Sequence, residues 1–198
     1  MNADAQASLV RELQRNLRDG TRTLAPSEFE NPIDAYTNPE RLERERDILF
    51  RRTPIVVGHG SQISAPGGFL ATEVAGLPIL VVRQRDGSVR AFANLCRHRG
   101  ARVVEQGCGS ADRFRCPYHA WSYGLDGRLL AIPDHEAFVG VDRSSHGLVP
   151  LPAEERHGFL WVVASTDAGI DVAALLVLSM QNSVRSGWTS TSRNVTCG

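Results

Sequence analysis

The sequence predicts a mainly β fold of small antiparallel sheets, preceded by an N-terminal helical leader. Three observations carry that expectation. Between Thr53 and Val163, short β-branched and aromatic runs alternate with Gly, Pro and Asp. The pairs Pro66-Gly67, Asp86-Gly87 and Asp126-Gly127 fall between those runs, where turns belong. Outside that stretch the apolar residues recur at helical rather than alternating spacing.

Taken in order, residues 5–19 place Leu9, Leu13 and Leu17 on one helical face, and Gly20 ends the run. TRTLAPSEFENPIDAYT is rich in turn formers and reads as an extended arm, lying on the surface or reaching a neighbouring subunit. A second helix starts with Asn38 as N-cap and Pro39 at the first helical position. It continues through PERLERERDILFRR with Leu42, Ile48 and Leu49 as its buried residues. The runs TPIVVG, FLATEV, LPILVVR, VRAFAN, DRFRC and GFLWVV then read as strands, and RQRDGSVRAF is the clearest hairpin. A short helix begins near Asp171, and QNSVRSGWTSTSRNVTCG, with little periodicity, is expected to be poorly ordered. The expected parts are a leader at 1–50, a β domain at 51–165, and a short helix with tail at 166–198.

Composition narrows the function. With 22 basic and 22 acidic residues the chain is formally neutral, which argues against a general nucleic-acid binder. No apolar run approaches the roughly 18 residues of a membrane span, and MNADAQASLVREL lacks the form of a secretory signal. A cytoplasmic protein is expected. Four cysteines in 198 residues do not read as a disulfide scaffold. Cys96 and Cys116 each have a histidine close by; Cys108 and Cys197 do not, and Cys108 reads as a bystander.

The chemistry is concentrated in Cys96-Arg97-His98 and Cys116-Pro117-Tyr118-His119, with 17 residues between them. Each motif pairs a thiolate with an imidazole in a short, turn-containing loop. Two such loops converging would offer two soft sulfurs and two borderline nitrogens, a donor set that suits zinc or an iron–sulfur cluster. A zinc-stabilised module stays open on these grounds, although the alternating order Cys, His, Cys, His departs from the zinc-finger order. One thiolate and one imidazole from each loop also fits a two-iron cluster divided into a sulfur-held and a nitrogen-held iron.

The stretch NLCRHRGARVVEQGCGSADRFRCPYHAWSYGLDGRL, Asn94 to Leu129, resembles the Rieske [2Fe–2S] domain of the large, α subunit of aromatic-ring-hydroxylating oxygenases. The likeness runs from about Tyr36 to Val163. It implies that Cys96 and Cys116 hold the inner iron of the cluster and that His98 and His119 hold the outer one. Arg99 and Gly100 follow the first histidine as in that family, and Trp121 follows the second after one residue. Two departures stand out. Respiratory Rieske proteins add a bridging cysteine to each loop, and here those positions are Ala101 and Tyr118. Ala120 stands where the oxygenase family usually has glycine, which should crowd the loop.

The resemblance implies a chain that takes single electrons from a ferredoxin or flavin reductase, ultimately from NAD(P)H. It would pass them to a mononuclear non-haem iron that hydroxylates an aromatic ring with O2. It also implies an α-subunit homo-oligomer, a trimer in the family, with a small β subunit in some members. The family holds the mononuclear Fe(II) with two histidines and a carboxylate. Beyond the four motif residues this chain has only His59, His135, His146 and His157, with no associated acidic constellation. The expectation is therefore that this chain by itself carries electrons and does not activate oxygen, as a fragment, a frameshifted end or a natural short form. A free-standing Rieske ferredoxin is the alternative. Eight arginines against four carboxylates in residues 85–128 form a local basic region suited to an acidic donor.

Overall fold

The computed structural model describes residues 3–21 and 30–183, which separate into two units. One comprises the described residues up to Leu42 with those from Ala173 onward; the other is Glu43–Val172.

In the first unit, helix α1 (Ala3–Asp19) carries Asp4 in its first turn and Arg18 in its last, each complementing the helix dipole. Gly20 turns left-handed at φ +64°, and the Thr21 N–H closes back on the Asn16 carbonyl at 2.9 Å. Leu9, Leu13 and Leu17 are all exposed, Leu17 to 85%. Part of the predicted arm is helical instead, as α2 (Asp34–Thr37), and residues 22–29 of it lie outside the described residues. Helix α3 (Pro39–Glu45) begins as the sequence predicts, with Asn38 Oδ1 accepting the Arg41 N–H at 3.1 Å. It runs into a π-helical turn, Arg46–Arg51 in the second unit, whose wider winding takes Ile48 and Leu49 off the expected stripe. Leu42, Ile48 and Leu49 are about half exposed, so their expected burial is corrected. Helix α4 (Val172–Ser183) starts beside Asp171 as predicted and extends over Gln181–Ser183, which were expected to belong to the tail; residues 184–198 lie outside the described residues.

The second unit holds the strands: β1 (Ile55–His59), β2 (Gly68–Val74), β3 (Leu77–Arg83), β4 (Val89–Ala93), β5 (Gly107–Ser110), β6 (Phe114–Arg115), β7 (Ser122–Tyr123), β8 (Leu129–Ala131), β9 (Pro150–Leu151), β10 (Ala153–Arg156) and β11 (Phe159–Val162). They form three antiparallel sheets, β5-β2-β3-β4-β9, β1-β11-β10 and β6-β7-β8. The mainly β prediction holds, and each predicted strand run overlaps one of these strands.

The five-stranded sheet lies between the other two because β3 is apolar on both faces. Ile79 and Val81 join one core cluster with Leu70, Leu160 and Val162, while Leu80 and Val82 join the other with Phe92, Phe114, Tyr123 and Leu129. All four of these β3 residues are fully buried, each worth about 1.5–3 kcal/mol of transfer free energy. The second cluster contains Cys96, Cys116 and Trp121, so the core that fixes the sheet also floors the two motif loops. The Arg83 guanidinium locks the opposite side: it pairs with Glu155 and donates to the carbonyls of Ile63 (3.0 Å) and Gly87 (2.8 Å).

Candidate metal centre

The two motif loops are the same backbone device built twice. In the first, the Cys96 N–H donates to the Ala101 carbonyl at 2.8 Å and the Gly100 N–H returns to the Cys96 carbonyl at 2.8 Å. In the second, the Cys116 N–H donates to the Trp121 carbonyl at 2.9 Å and the Ala120 N–H returns to the Cys116 carbonyl at 3.0 Å. The fourth residue after each cysteine is left-handed, Gly100 at φ +70° and Ala120 at φ +58°. Cys-x-His and Cys-x-x-His therefore place their histidines at successive steps of one turn type.

Each loop is clamped at its base. A β-bridge joins Leu95 to Arg102, and the buried Asn94 amide accepts the N–H groups of Val103 (3.1 Å) and Val104 (3.0 Å) while donating to the Val104 carbonyl (2.7 Å). The second loop is closed by β6 and β7, with Arg115 opposite Ser122.

This scaffold brings all four motif residues to one end of the domain. Cys96 and Cys116 are buried free thiols close enough for their sulfurs to interact. The His98 and His119 rings meet with centroids 4.6 Å apart and planes at 68°. His98 Nδ1 is buried with no hydrogen-bond partner, as is the indole nitrogen of Trp121. A buried ring nitrogen left without a partner is costly unless something binds it.

Tyr123 ties the sulfurs to the loop. Its hydroxyl accepts the Arg97 N–H at 3.0 Å and lies 3.2 Å from Cys96 Sγ. Burial holds the Tyr123 phenol protonated far beyond its usual range, so its hydrogen is free to point at the sulfur. Burial likewise raises the Cys96 thiol, with Cys116 opposing a second negative charge there. His98 is held below the ordinary imidazole value, first by desolvation and then by the positive neighbours His119 and Arg99. Burial thus favours the protonated form of the Cys96 thiol and the neutral form of His98.

Aromatic walls shield the first histidine. Trp121, only 2% exposed, stacks flat on His98, and Phe138 meets both rings edge-on at 5.4 and 5.6 Å. The His119 ring is bordered by Tyr118, centroids 3.8 Å apart, and Tyr118 itself is exposed. Sequence reasoning missed Tyr123, Asn94 and Phe138.

Of the other histidines, His59 caps the turn at Gly60–Ile63 through Ser61, while His146, its Nδ1 2.7 Å from the Asp142 carbonyl, meets the Trp121 indole edge-on with ring centroids 6.3 Å apart. Cys108, on β5 opposite Leu70, packs with the first core cluster, whereas Cys96 and Cys116 belong to the second. Among the described residues, no three His, Cys, Asp or Glu side chains converge on a single ion. A two-iron cluster does not require that convergence, because bridging sulfides complete each iron's shell and the protein supplies two ligands to each. Two buried thiols, two adjacent rings and an unpartnered Nδ1 fit that donor set.

Comparison with known proteins places this geometry. Residues 53–152, half of the chain, match the model of the Rieske [2Fe-2S] domain. The chain is 34% identical to the biphenyl 2,3-dioxygenase α subunit of Rhodococcus jostii over 134 residues, 67% of this chain and 29% of that protein. It is 36% identical to the glycine betaine monooxygenase oxygenase subunit of Chromohalobacter salexigens over 159 residues, 80% of this chain and 33% of that protein. Among solved structures, the quaternary ammonium Rieske monooxygenase CntA superposes with a TM-score of 0.68 at 30% identity, over 77% of this chain and 43% of that one. The chain spans about a third of the length of these two curated relatives. With both motif loops inside the matched residues, the chain belongs to the Rieske [2Fe–2S] domain family.

Proposed function

We propose that Cys96 and Cys116 hold the inner iron and His98 and His119 the outer iron of a Rieske [2Fe–2S] cluster, and that the chain is the single-electron-transfer part of a Rieske oxygenase α subunit. The observation that carries this reading is that the same two loops pair two buried free thiols and two contacting imidazoles, one of which buries an unpartnered Nδ1. The cluster supplies a one-electron acceptor and donor whose potential is raised by its imidazole side. The chain's own residues do the rest. With Cys96 as a cluster thiolate, the Tyr123 hydroxyl 3.2 Å away would donate its hydrogen to Sγ. Trp121 and Phe138 keep water from the inner side of His98.

Electrons come one at a time from a ferredoxin or flavin reductase, ultimately from NAD(P)H. They leave for a mononuclear non-haem iron that uses O2 to hydroxylate an aromatic ring. The names of the relatives divide between an aromatic compound and quaternary ammonium compounds at nearly equal identity, so electron delivery is the shared element. The proposed setting is cytoplasmic, in an α-subunit oligomer with or without a β subunit; no helix among the described residues is long and apolar enough to cross a membrane. The test is reductive titration of the iron- and sulfide-reconstituted chain, followed by visible and electron paramagnetic resonance spectra. One electron per chain with an S = 1/2 signal that Cys96→Ser abolishes supports the reading, and a colourless protein folded by zinc overturns it. Restoration of turnover in a separate cluster-bearing oxygenase would favour the free-standing ferredoxin instead.

A further inference from the structure

The aromatic wall beside His98 extends one ring further. The half-buried His146 meets the Trp121 indole edge-on, centroids 6.3 Å apart, and Trp121 lies flat on His98. The Trp121 indole nitrogen is buried without a partner, so ring contacts with His98, Phe138 and His146 hold that side chain in place of a hydrogen bond. Of the four histidines outside the motifs, His146 is the one with such a contact. His59 packs on Phe159 instead, and His135 and His157 are exposed.

The neighbours of His146 fix which of its nitrogens responds to acid. Nδ1 lies 2.7 Å from the Asp142 carbonyl, which can only accept, so Nδ1 carries the hydrogen of the neutral ring. The lone pair remains on Nε2, which has no hydrogen-bond partner among the described residues. A proton taken up there turns the ring into a cation and leaves the Asp142 bond in place. Asp142 and Arg143 stand on the same turn, and the Asp142 carboxyl is engaged by Ser144 more strongly than by His146. Strand β8, packed on that turn, brings Leu129, Leu130 and Ala131, none of which titrates. The Asp126-Gly127 turn lies against Gly147, and there Asp126 pairs with Arg128. The segment before Phe138 carries Asp134, His135 and Glu136, all exposed.

We propose that His146 is a positioning residue and proton-linked regulator of this site: neutral, it seats Trp121 against His98; protonated, it adds a positive charge beside that wall and favours the reduced state. This rests on the reading of the four motif residues as cluster ligands and names a control on the same site. The electron comes from the single-electron donor of that reading and the proton from water onto Nε2; no other bond forms or breaks. Proton and electron favour one another reciprocally, so reduction draws a proton to His146 as strongly as that proton raises the midpoint potential. Acid therefore raises the potential and alkali lowers it, until the ring is wholly in one form.

The test uses the full chain reconstituted with iron and sulfide. Its readout is the midpoint potential by spectroelectrochemistry from about pH 8 to about pH 5, the range in which imidazole changes charge. Visible absorbance is recorded first, and a parent that forms no cluster overturns the functional reading itself and this inference with it. The parent potential is expected to rise as pH falls and then to level. His146→Gln loses that rise with the cluster absorbance unchanged. His146→Arg, a permanent cation, also loses the rise, and at about pH 8 its potential lies above that of the Gln variant. A parent potential that is flat over this range overturns the proposal. So does a rise that survives unchanged in either variant, which would belong to other groups, the ligand histidines included. Equal potentials of the Gln and Arg variants at about pH 8 overturn it as well. Should His146→Gln hold no cluster, the Arg variant decides alone: a retained rise overturns the proposal and a lost rise supports it.

Discussion

The Trp121 indole lies flat on the His98 imidazole, centroids 5.0 Å apart and planes 6° from parallel. The contact joins the two loops directly: Trp121 closes the second through its carbonyl, and its ring walls the histidine of the first. Trp121→Ala should cost about 3–5 kcal/mol, the usual range for emptying a buried aromatic site, whereas Trp121→Phe keeps a ring against His98 and should cost clearly less. Urea denaturation measures the stabilities. Decay of visible absorbance in air should be faster for Trp121→Ala than for Trp121→Phe, and equal decay would separate the stack from protection of the site.

Tyr123 is expected to raise the reduction potential. Its hydroxyl accepts from the Arg97 N–H, which leaves its own hydrogen for Cys96 Sγ at 3.2 Å. A hydrogen bond to sulfur withdraws electron density and favours the reduced state. Tyr123→Phe removes that bond and should lower the midpoint potential by on the order of 50 mV, the one-electron equivalent of about 1 kcal/mol. Spectroelectrochemical titration reads it. An unchanged potential would mean that the hydroxyl serves only the Arg97 amide.

Ala120 holds a left-handed backbone at φ +58°, where Gly100 occupies the matching position of the other loop. An L-residue there costs roughly 1–2 kcal/mol, partly offset by the entropy that glycine would lose on folding. Ala120→Gly should therefore stabilise the chain by about 1 kcal/mol. Equilibrium unfolding of the two proteins side by side decides, and a loss of stability would show that the Ala120 methyl group packs usefully.

Acid should loosen the turn at Asp142 only at low pH. The Ser144 hydroxyl and backbone N–H hold the Asp142 carboxyl below its ordinary range, with a smaller contribution from His146. A folded-state pKa below the unfolded one gives stability that is complete above the ordinary Asp value of about 4 and lost as pH falls through the lower folded value. The Ser144 amide resonance should stay constant from neutral pH down to about 5 and shift only below about 4, and Asp142→Asn should abolish that shift. Movement centred above pH 5 in the parent would contradict the assignment.

What could be read from the sequence was what short-range chemistry dictates. The motif spacing put Cys96, His98, Cys116 and His119 forward because each pair sits in one turn. Asp86-Gly87 and Asp126-Gly127 announced their turns because Gly87 and Gly127 adopt positive φ. The turns at Ala75-Gly76 and His157-Gly158 instead have positive φ at both residues, +49° and +55° at the first, and alanine and histidine do not advertise it. Tyr123 was invisible for a different reason. It reaches a sulfur 27 residues away, a contact set by the pairing of β7 with β6 rather than by any local pattern. Asn94 was likewise hidden, since its role is to satisfy the amides of Val103 and Val104 beyond the loop. The helical face of Leu9, Leu13 and Leu17 shows the limit from the other side: periodicity gave the helix and not its burial.

The central claim is that this chain binds a two-iron, two-sulfide cluster through its two motif loops. It is tested most directly by iron, zinc and acid-labile sulfide determined per polypeptide on the full chain purified anaerobically from iron-replete cells. The account predicts two irons and two sulfides per chain with no zinc, by the stoichiometry of a [2Fe–2S] centre. Zinc in place of iron, with no sulfide, would contradict it.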